Sequence, residues 1–335
     1  MVCSSPEVET ETEAGGAAGG GRRAVQDRRK IIPILTFVSV ALVASQAADD
    51  VSPDAYWKSV LPNAPMPKVV KEILHNGWIE DKSTAVETAK DSASADGGFA
   101  YNGIHYENAA TEAQIQDIRN IAVFFLEKDL KRGTKMNLYF NKTTNSKTTF
   151  LPRQVADKIP FSSEKMPEIL DQFSVKSDTK EAEAMKKTIK KCEEPGFKGE
   201  EKHCVTSLES MVDFTTSKLG KSVQAISTEV EKETNKLQEY RVSGAKKMGG
   251  EESMVCHKLK YAYAVFYCHK IAATKAYVVS LVGLNGTKAK AVAVCHANTS
   301  GWNPKHLAFQ MLKVKPGMVP ICHFLSEDHV VWVQN

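Results

Sequence analysis

Eight residues near the C-terminal end carry the chemistry that this sequence can offer: Cys256-His257, Cys268-His269, Cys295-His296 and Cys322-His323. Ten residues separate the first pair from the second, and twenty-five separate each later pair from the one before it. One such dipeptide means nothing, but four at regular separations constrain where the chain must put them. In a strand, neighbouring side chains point to opposite faces, so a cysteine and its adjoining histidine do not chelate one ion together. In a reducing cell, four cysteines and four histidines can build two zinc sites. In an oxidising compartment the cysteines pair with one another and leave four imidazoles on the other face. Imidazole suits copper, zinc and nickel, and copper(II) binds nitrogen donors most tightly among the divalent first-row ions. The plain alternative is that the sulfurs staple the fold while the imidazoles are ordinary hydrogen-bonded side chains. We expect His257, His269, His296 and His323 to converge on one face and bind copper(II), with disulfides behind them. His306 and His329 lie near the pairs and are candidates for an outer shell of partners.

The compartment follows from the other end of the chain. Arg22, Arg23, Arg28, Arg29 and Lys30 precede an apolar run from Ile31 to about Ala44, which Ser45-Gln46-Ala47 closes. A basic region, a short apolar region and a small-residue exit make a secretory signal. The run is too short for the ~20 apolar residues that a membrane helix needs, so no membrane association is expected after cleavage. Removing residues 1–47 takes away Cys3 and leaves Cys192, Cys204, Cys256, Cys268, Cys295 and Cys322. Six cysteines in an exported chain read as a disulfide framework, with connectivity open. Cys192 and Cys204 flank a loop containing Pro195, Gly196 and Gly199, and bridging them stabilises by roughly 3 kcal/mol. Acceptor sequons stand at Asn141, Asn285 and Asn298. Of these, Asn285 and Asn141 are the more accessible in expectation, being at a hairpin tip and in polar surroundings.

The elements that must position the pairs are strands. Residues 261–267 are strongly β-prone, and 276–283 and 288–294 flank Asn285-Gly286, a strong hairpin signal. Residues 330–333 make a last strand. Further upstream, 121–126 and 136–140 read as a hairpin around Gly133. Between these lie three amphipathic stretches, 164–173, 179–192 and 206–219, the last with Leu208, Met211, Val212 and Leu219 at helical spacing. The fold class is therefore α+β, with helices in the middle and an antiparallel β-sheet in the C-terminal part. Residues 1–47 form a leader and signal, 48–120 an N-terminal variable segment with a small, polar linker at about 82–98, and 121–335 the main domain. The aromatics of Tyr56-Trp57 are expected to pack onto that domain.

The four pairs at this spacing resemble the signature of the plant BURP-domain family. Supporting stretches are FFLEKDL at 124–130, FLPR at 150–153, IPFSS at 159–163, CVTSLESMVDF at 204–214, WNP at 302–304 and PICHFL at 320–325. Residues around Tyr56-Trp57 and FAYN at 99–102 further resemble the dehydration-responsive branch. The resemblance implies a BURP-type, disulfide-stapled domain in a secreted protein of the apoplast, cell wall or vacuole. Its expected role is non-catalytic and of stress-response or developmental type, with cell-wall polysaccharide or wall-modifying enzymes as partners. Other members of the family are copper-dependent cyclases that crosslink Tyr or Trp in a core peptide of their own chain. Here residues 141–153 contain neither Tyr nor Trp, and Gln-Pro does not occur. That leaves the cyclase as the alternative reading.

Composition excludes other classes. The chain is 42% hydrophobic and 25% charged with a net charge of +4, and no Lys/Arg block is interleaved with aromatics, so nucleic acid is not an expected partner. There is no nucleophile elbow, phosphate loop or HExxH helix to support hydrolase or nucleotide chemistry.

Overall fold

The computed structural model describes residues 51–75, 121–140, 148–232 and 234–335. The signal segment, the linker at 82–98 and Asn141 lie outside the described residues. The helices are α1 (Pro53–Val60), α2 (Lys68–His75), α3 (Arg153–Ala156), α4 (Met166–Gln172), α5 (Lys180–Glu193), α6 (Leu208–Leu219) and α7 (Leu307–Leu312). The strands are β1 (Phe125–Leu126), β2 (Lys135–Phe140), β3 (Glu200–Val205), β4 (Val223–Ile226), β5 (Glu229–Val230), β6 (Thr234–Met248), β7 (Ser253–Leu259), β8 (Val265–Ile271), β9 (Thr274–Gly283), β10 (Lys288–His296), β11 (Ile321–Phe324) and β12 (Val330–Gln334). The α+β class with mid-chain helices and C-terminal antiparallel pairing is what the sequence implies.

The pairing is split over two sheets. The first runs β1-β11-β10-β9-β6-β2, with β5 beside β10, and the second runs β3-β8-β7-β12-β4. Just before β1, at one end of the first sheet, the Ala122 N–H donates to the Asn137 carbonyl of β2, at the other end, at 3.0 Å. Its inner face is a core of Leu138, Tyr240, Val242, Leu281, Ala291, Cys295, Cys322 and Phe324. The second sheet is covered on one face by α1, α2 and α6 through Trp57, Leu61, Val70, Leu208, Met211 and Trp332, with Cys256 and Cys268 among them. Helices α4 and α5 pack on Val265 and Tyr267 through Ile169, Met185 and Ile189. The other faces meet in a thin apolar layer of Val255, Ala276, Val292, Val294, Leu325 and Val331. Alternation along each strand thus sends one set of side chains to an outer core and the next set between the sheets.

The expected hairpin of 121–126 with 136–140 does not form. β1 pairs with the short β11 and β2 with the long β6, each on an edge supplied by a strand distant in sequence rather than by its neighbour. Only residues 265–267 of the β-prone stretch lie in a strand, β8, which runs on to Ile271; Tyr261 and Tyr263 instead pack under α4. The hairpin at Asn285-Gly286 forms, Gly286 taking a φ of 82° in the turn between β9 and β10. Trp57 is buried, its ring 5.1 Å from that of Trp332 and its Nε1 donating to the Ala64 carbonyl at 2.9 Å. Residues 51–75 of the N-terminal segment therefore contribute to the main core.

Candidate metal centre between two sheets

Register places the pairs. Cys256 sits directly opposite Cys268 on β7 and β8, and Cys295 directly opposite Cys322 on β10 and β11. Both cross-strand pairs are disulfides, with Cα separations of 3.9 and 4.0 Å, and Cys192–Cys204 joins α5 to β3. Each sulfur bridge points into the outer core of its own sheet. By alternation the adjoining histidines point the other way, into the gap. His257 and His269 come from the second sheet, His296 and His323 from the first.

The four rings form a closed quadrilateral. Centroids are 5.3 Å apart for His257–His269, 6.4 Å for His269–His296, 5.6 Å for His296–His323 and 6.3 Å for His323–His257. Two imidazoles bound through nitrogens ~2 Å from one ion have centroids roughly 4.5–6 Å apart. The ring is therefore close to ligation distance and slightly wider. Among the described residues, no three His, Cys, Asp or Glu side chains are set to hold a metal ion as they stand.

Partners on the outer nitrogens fix where lone pairs lie. His269 Nδ1 is 2.7 Å from Glu200 Oε1, and an ionised carboxylate only accepts, so Nδ1 carries a proton, and in the neutral ring Nε2 is a bare acceptor. That Nε2 is buried and has no hydrogen-bond partner among the described residues. His323 Nδ1 lies 3.2 Å from the Phe324 carbonyl, which likewise leaves Nε2 as an acceptor. His323 Nε2 faces His296 Nε2 at 3.4 Å, and His296 Nδ1 is 3.0 Å from Thr274 Oγ1. His257 Nδ1 is 3.0 Å from His329 Nδ1.

Burial favours the neutral form of His296, His323 and His329. Desolvation pushes His296 well below the ordinary histidine value, and the charges of His323, His269 and His306 push in the same direction. His323 and His329 are each pushed down to about 4, chiefly by burial. Neutral imidazole is the form that ligates a metal. For Glu200, burial pushes the carboxyl up, but hydrogen bonds from His269, Tyr267 and the Phe197 N–H outweigh it and hold it below its ordinary value.

Of the two candidates for an outer shell, His329 contacts the quadrilateral directly, through His257. His306 stands one layer out, its ring 4.8 Å from Trp302, which is itself 5.3 Å from His296. Glu200 was not legible as part of the cluster. Its hydrogen-bond partner His269 lies sixty-nine residues away, and only the β3–β8 register brings them together. Asn285 is exposed at the β9–β10 turn and Asn298 is exposed just after β10. A separate cavity of about 740 Å³ lies between α2 and the β5–β10 edge. Its lining holds Lys68, Lys288 and Lys290 against Glu72, Glu229, Glu231 and Glu327, which gives no excess of positive charge for an acidic ligand.

The BURP domain family matches residues 123–334, the stretch that carries both sheets and all four pairs. The chain belongs to the BURP-domain family. Over 90% of this chain and 98% of the relative, it is 41% identical to BURP domain protein RD22 of Arabidopsis thaliana. It is 42% identical to BURP domain-containing protein 5 of Oryza sativa subsp. japonica, over 85% of this chain and 87% of that one. BURP domain-containing protein 3 of the same rice is 57% identical, and there the match spans 69% of this chain and 54% of the relative. The similarity to RD22 runs beyond the BURP domain, consistent with the packing of α1 and α2 into its core.

Proposed function

We propose that this BURP-domain protein is an exported, non-catalytic component of the apoplast or cell wall, of dehydration-responsive type, with a copper(II) site. His257, His269, His296 and His323 would hold the ion, which would give the protein a one-electron redox centre. The single observation that carries the metal reading is the closed quadrilateral of imidazoles, two from each sheet, turned away from their own disulfides. A buried imidazole nitrogen without a partner, His269 Nε2, fits a donor set waiting for a soft-to-borderline cation. Export is supported by the basic, apolar and small-residue order of residues 22–47 and by three disulfides, which persist in oxidising compartments. Its partners there are cell-wall polysaccharide or wall-modifying enzymes, a reading that rests on family resemblance alone.

The test uses protein secreted from plant cells. Copper titration followed by electron paramagnetic resonance is expected to give one nitrogen-ligated signal per chain, lost or altered in single His→Ala variants of the four. Binding unchanged in all four variants refutes the metal reading. Intact mass with and without reductant is expected to show a mature chain starting near Ala48, three disulfides and glycans on Asn285. A chain retaining residues before Ile31 overturns export. A further loss of two hydrogens, in the chain or in an added Tyr- or Trp-containing peptide, replaces the non-catalytic reading with the cyclase.

A further inference from the structure

The two disulfides that neighbour histidines lie behind the imidazole ring, but Cys192–Cys204 has no histidine attached to it in that pattern. Its position shows what it holds. Cys204 is on β3, an edge strand paired on one side only, with β8. The bridge ties the far end of that strand to α5, closing the loop at whose end Glu200 begins β3. Lys202 is directly opposite His269 and Cys204 directly opposite Tyr267, so Glu200, two residues before Lys202, shares the face of His269.

Glu200 makes every polar contact it can reach on that face. Its Oε1 accepts from Tyr267 Oη at 2.8 Å and from His269 Nδ1 at 2.7 Å, and its Oε2 accepts the Phe197 N–H at 3.3 Å. The Glu200 side chain is 3% exposed. Burying a carboxylate costs several kcal/mol unless it is paired and fully hydrogen-bonded, so a position that merely filled space would not carry one. Two of its three partners, Tyr267 and the Phe197 N–H, hold the carboxylate still. The third, His269, is the group being held.

We infer that Glu200 is a positioning residue for the imidazole ring: its carboxylate takes the His269 Nδ1 proton as a hydrogen bond and so turns the Nε2 lone pair into the quadrilateral. This rests on the copper reading for its purpose, though not for its geometry. A carboxylate behind a ligating histidine fixes tautomer and ring orientation and makes the ligand more basic. Glu200 does for His269 what the Phe324 carbonyl does for His323, but with a full charge and from a different strand. Cys192–Cys204 then serves the same site indirectly, by fixing the edge strand that carries the carboxylate.

The test has two independent readouts on wild type and Glu200→Gln. In metal-free protein at neutral pH, ring nitrogen chemical shifts are expected to show wild-type His269 with its proton on Nδ1. In the variant this tautomer is expected to be mixed or reversed, since an amide can donate as well as accept. Copper(II) affinity, measured by competition with a chelator of known strength, is expected to fall about 10- to 100-fold in the variant. Unchanged histidine shifts elsewhere and three intact disulfides establish that the variant is folded. Should Glu200→Gln not fold, Tyr267→Phe removes one of the two anchors on the carboxylate and is expected to weaken copper binding in the same direction. A proton on Nε2 of wild-type His269, or copper affinity unaltered in a folded variant, overturns the inference. If wild type binds no copper at all, the metal reading fails while the tautomer result still decides whether Glu200 orients His269.

Discussion

At the scale of single residues, strand alternation was enough to separate imidazoles from sulfurs, and the structure keeps that separation on all four strands. What alternation does not encode is which outer groups hold the rings, because Glu200 and Thr274 reach them by strand pairing. His306 gives the cleanest residue-level prediction, since it caps α7 by accepting the Ala308 N–H at 3.1 Å. Phe124, Trp302 and Phe309 surround it, and burial pushes it down to about 4. The unfolded chain takes up this proton near pH 6.5, the folded chain only near 4, so stability falls as pH drops through that window. The upper limit of the loss is about 3 kcal/mol, reduced by partial exposure of the residue. Asparagine can make the same cap without titrating. His306→Asn is therefore expected to melt less steeply with acid between pH 6.5 and 4 in calorimetry. An acid dependence identical to wild type refutes the assignment.

At the scale of elements, what was legible had a local cause. Asn285-Gly286 set the β9–β10 hairpin, and the three amphipathic stretches became α4, α5 and α6 within a few residues of their expected ends. β6 escaped notice. It carries Lys236, Glu239, Arg241, Lys246 and Lys247, and a bulge between Val242 and Gly244 breaks its two-residue period. The β1–β2 hairpin failed for the opposite reason, since nearness in sequence suggested a pairing that distant strands outcompete. The N-terminal helices give a direct test. Trp57 fills the space between α1 and Trp332, and Trp57→Ala is expected to cost about 3–5 kcal/mol in urea unfolding of the oxidised protein. A cost below about 1 kcal/mol means that α1 is only loosely docked. A second test compares two turn glycines. Gly249, at a φ of 59°, would place a Cβ 2.5 Å from the Gln334 carbonyl oxygen, whereas Gly286, at 82°, meets nothing within 4 Å. Gly286→Ala is expected to cost roughly 1–2 kcal/mol for its left-handed backbone, and Gly249→Ala measurably more because β12 must also move. Equal costs contradict the close approach of β12.

At the scale of the whole molecule, the division into two sheets decides what a bound ion would do. No residue-by-residue pattern announces that division, because strands of both sheets alternate in the chain and look alike. Cys256–Cys268 lies within the second sheet, Cys295–Cys322 within the first, and Cys192–Cys204 ties a helix to the second. Among the described residues no disulfide crosses the gap, which is bridged instead by the thin Val-rich layer and the histidine ring. A metal held by imidazoles from both sides is then a clamp between sheets as well as a ligand. Binding only to the folded state stabilises it by RT ln(1 + [L]/Kd), about 2.7 kcal/mol at a hundredfold excess over Kd. For a chain of this size that corresponds to a rise in Tm of about 4 °C. Copper(II) is expected to raise the Tm of the oxidised wild-type protein by this order, and a chelator to reverse it. His257→Ala, from one sheet, and His323→Ala, from the other, should each lose most of the rise. A chain in which both variants are stabilised as fully as wild type binds copper away from the gap, and the sheets are then joined without the metal, by the apolar layer and by contacts such as the buried hydrogen bond from Ser253 Oγ to the Thr274 carbonyl at 2.7 Å.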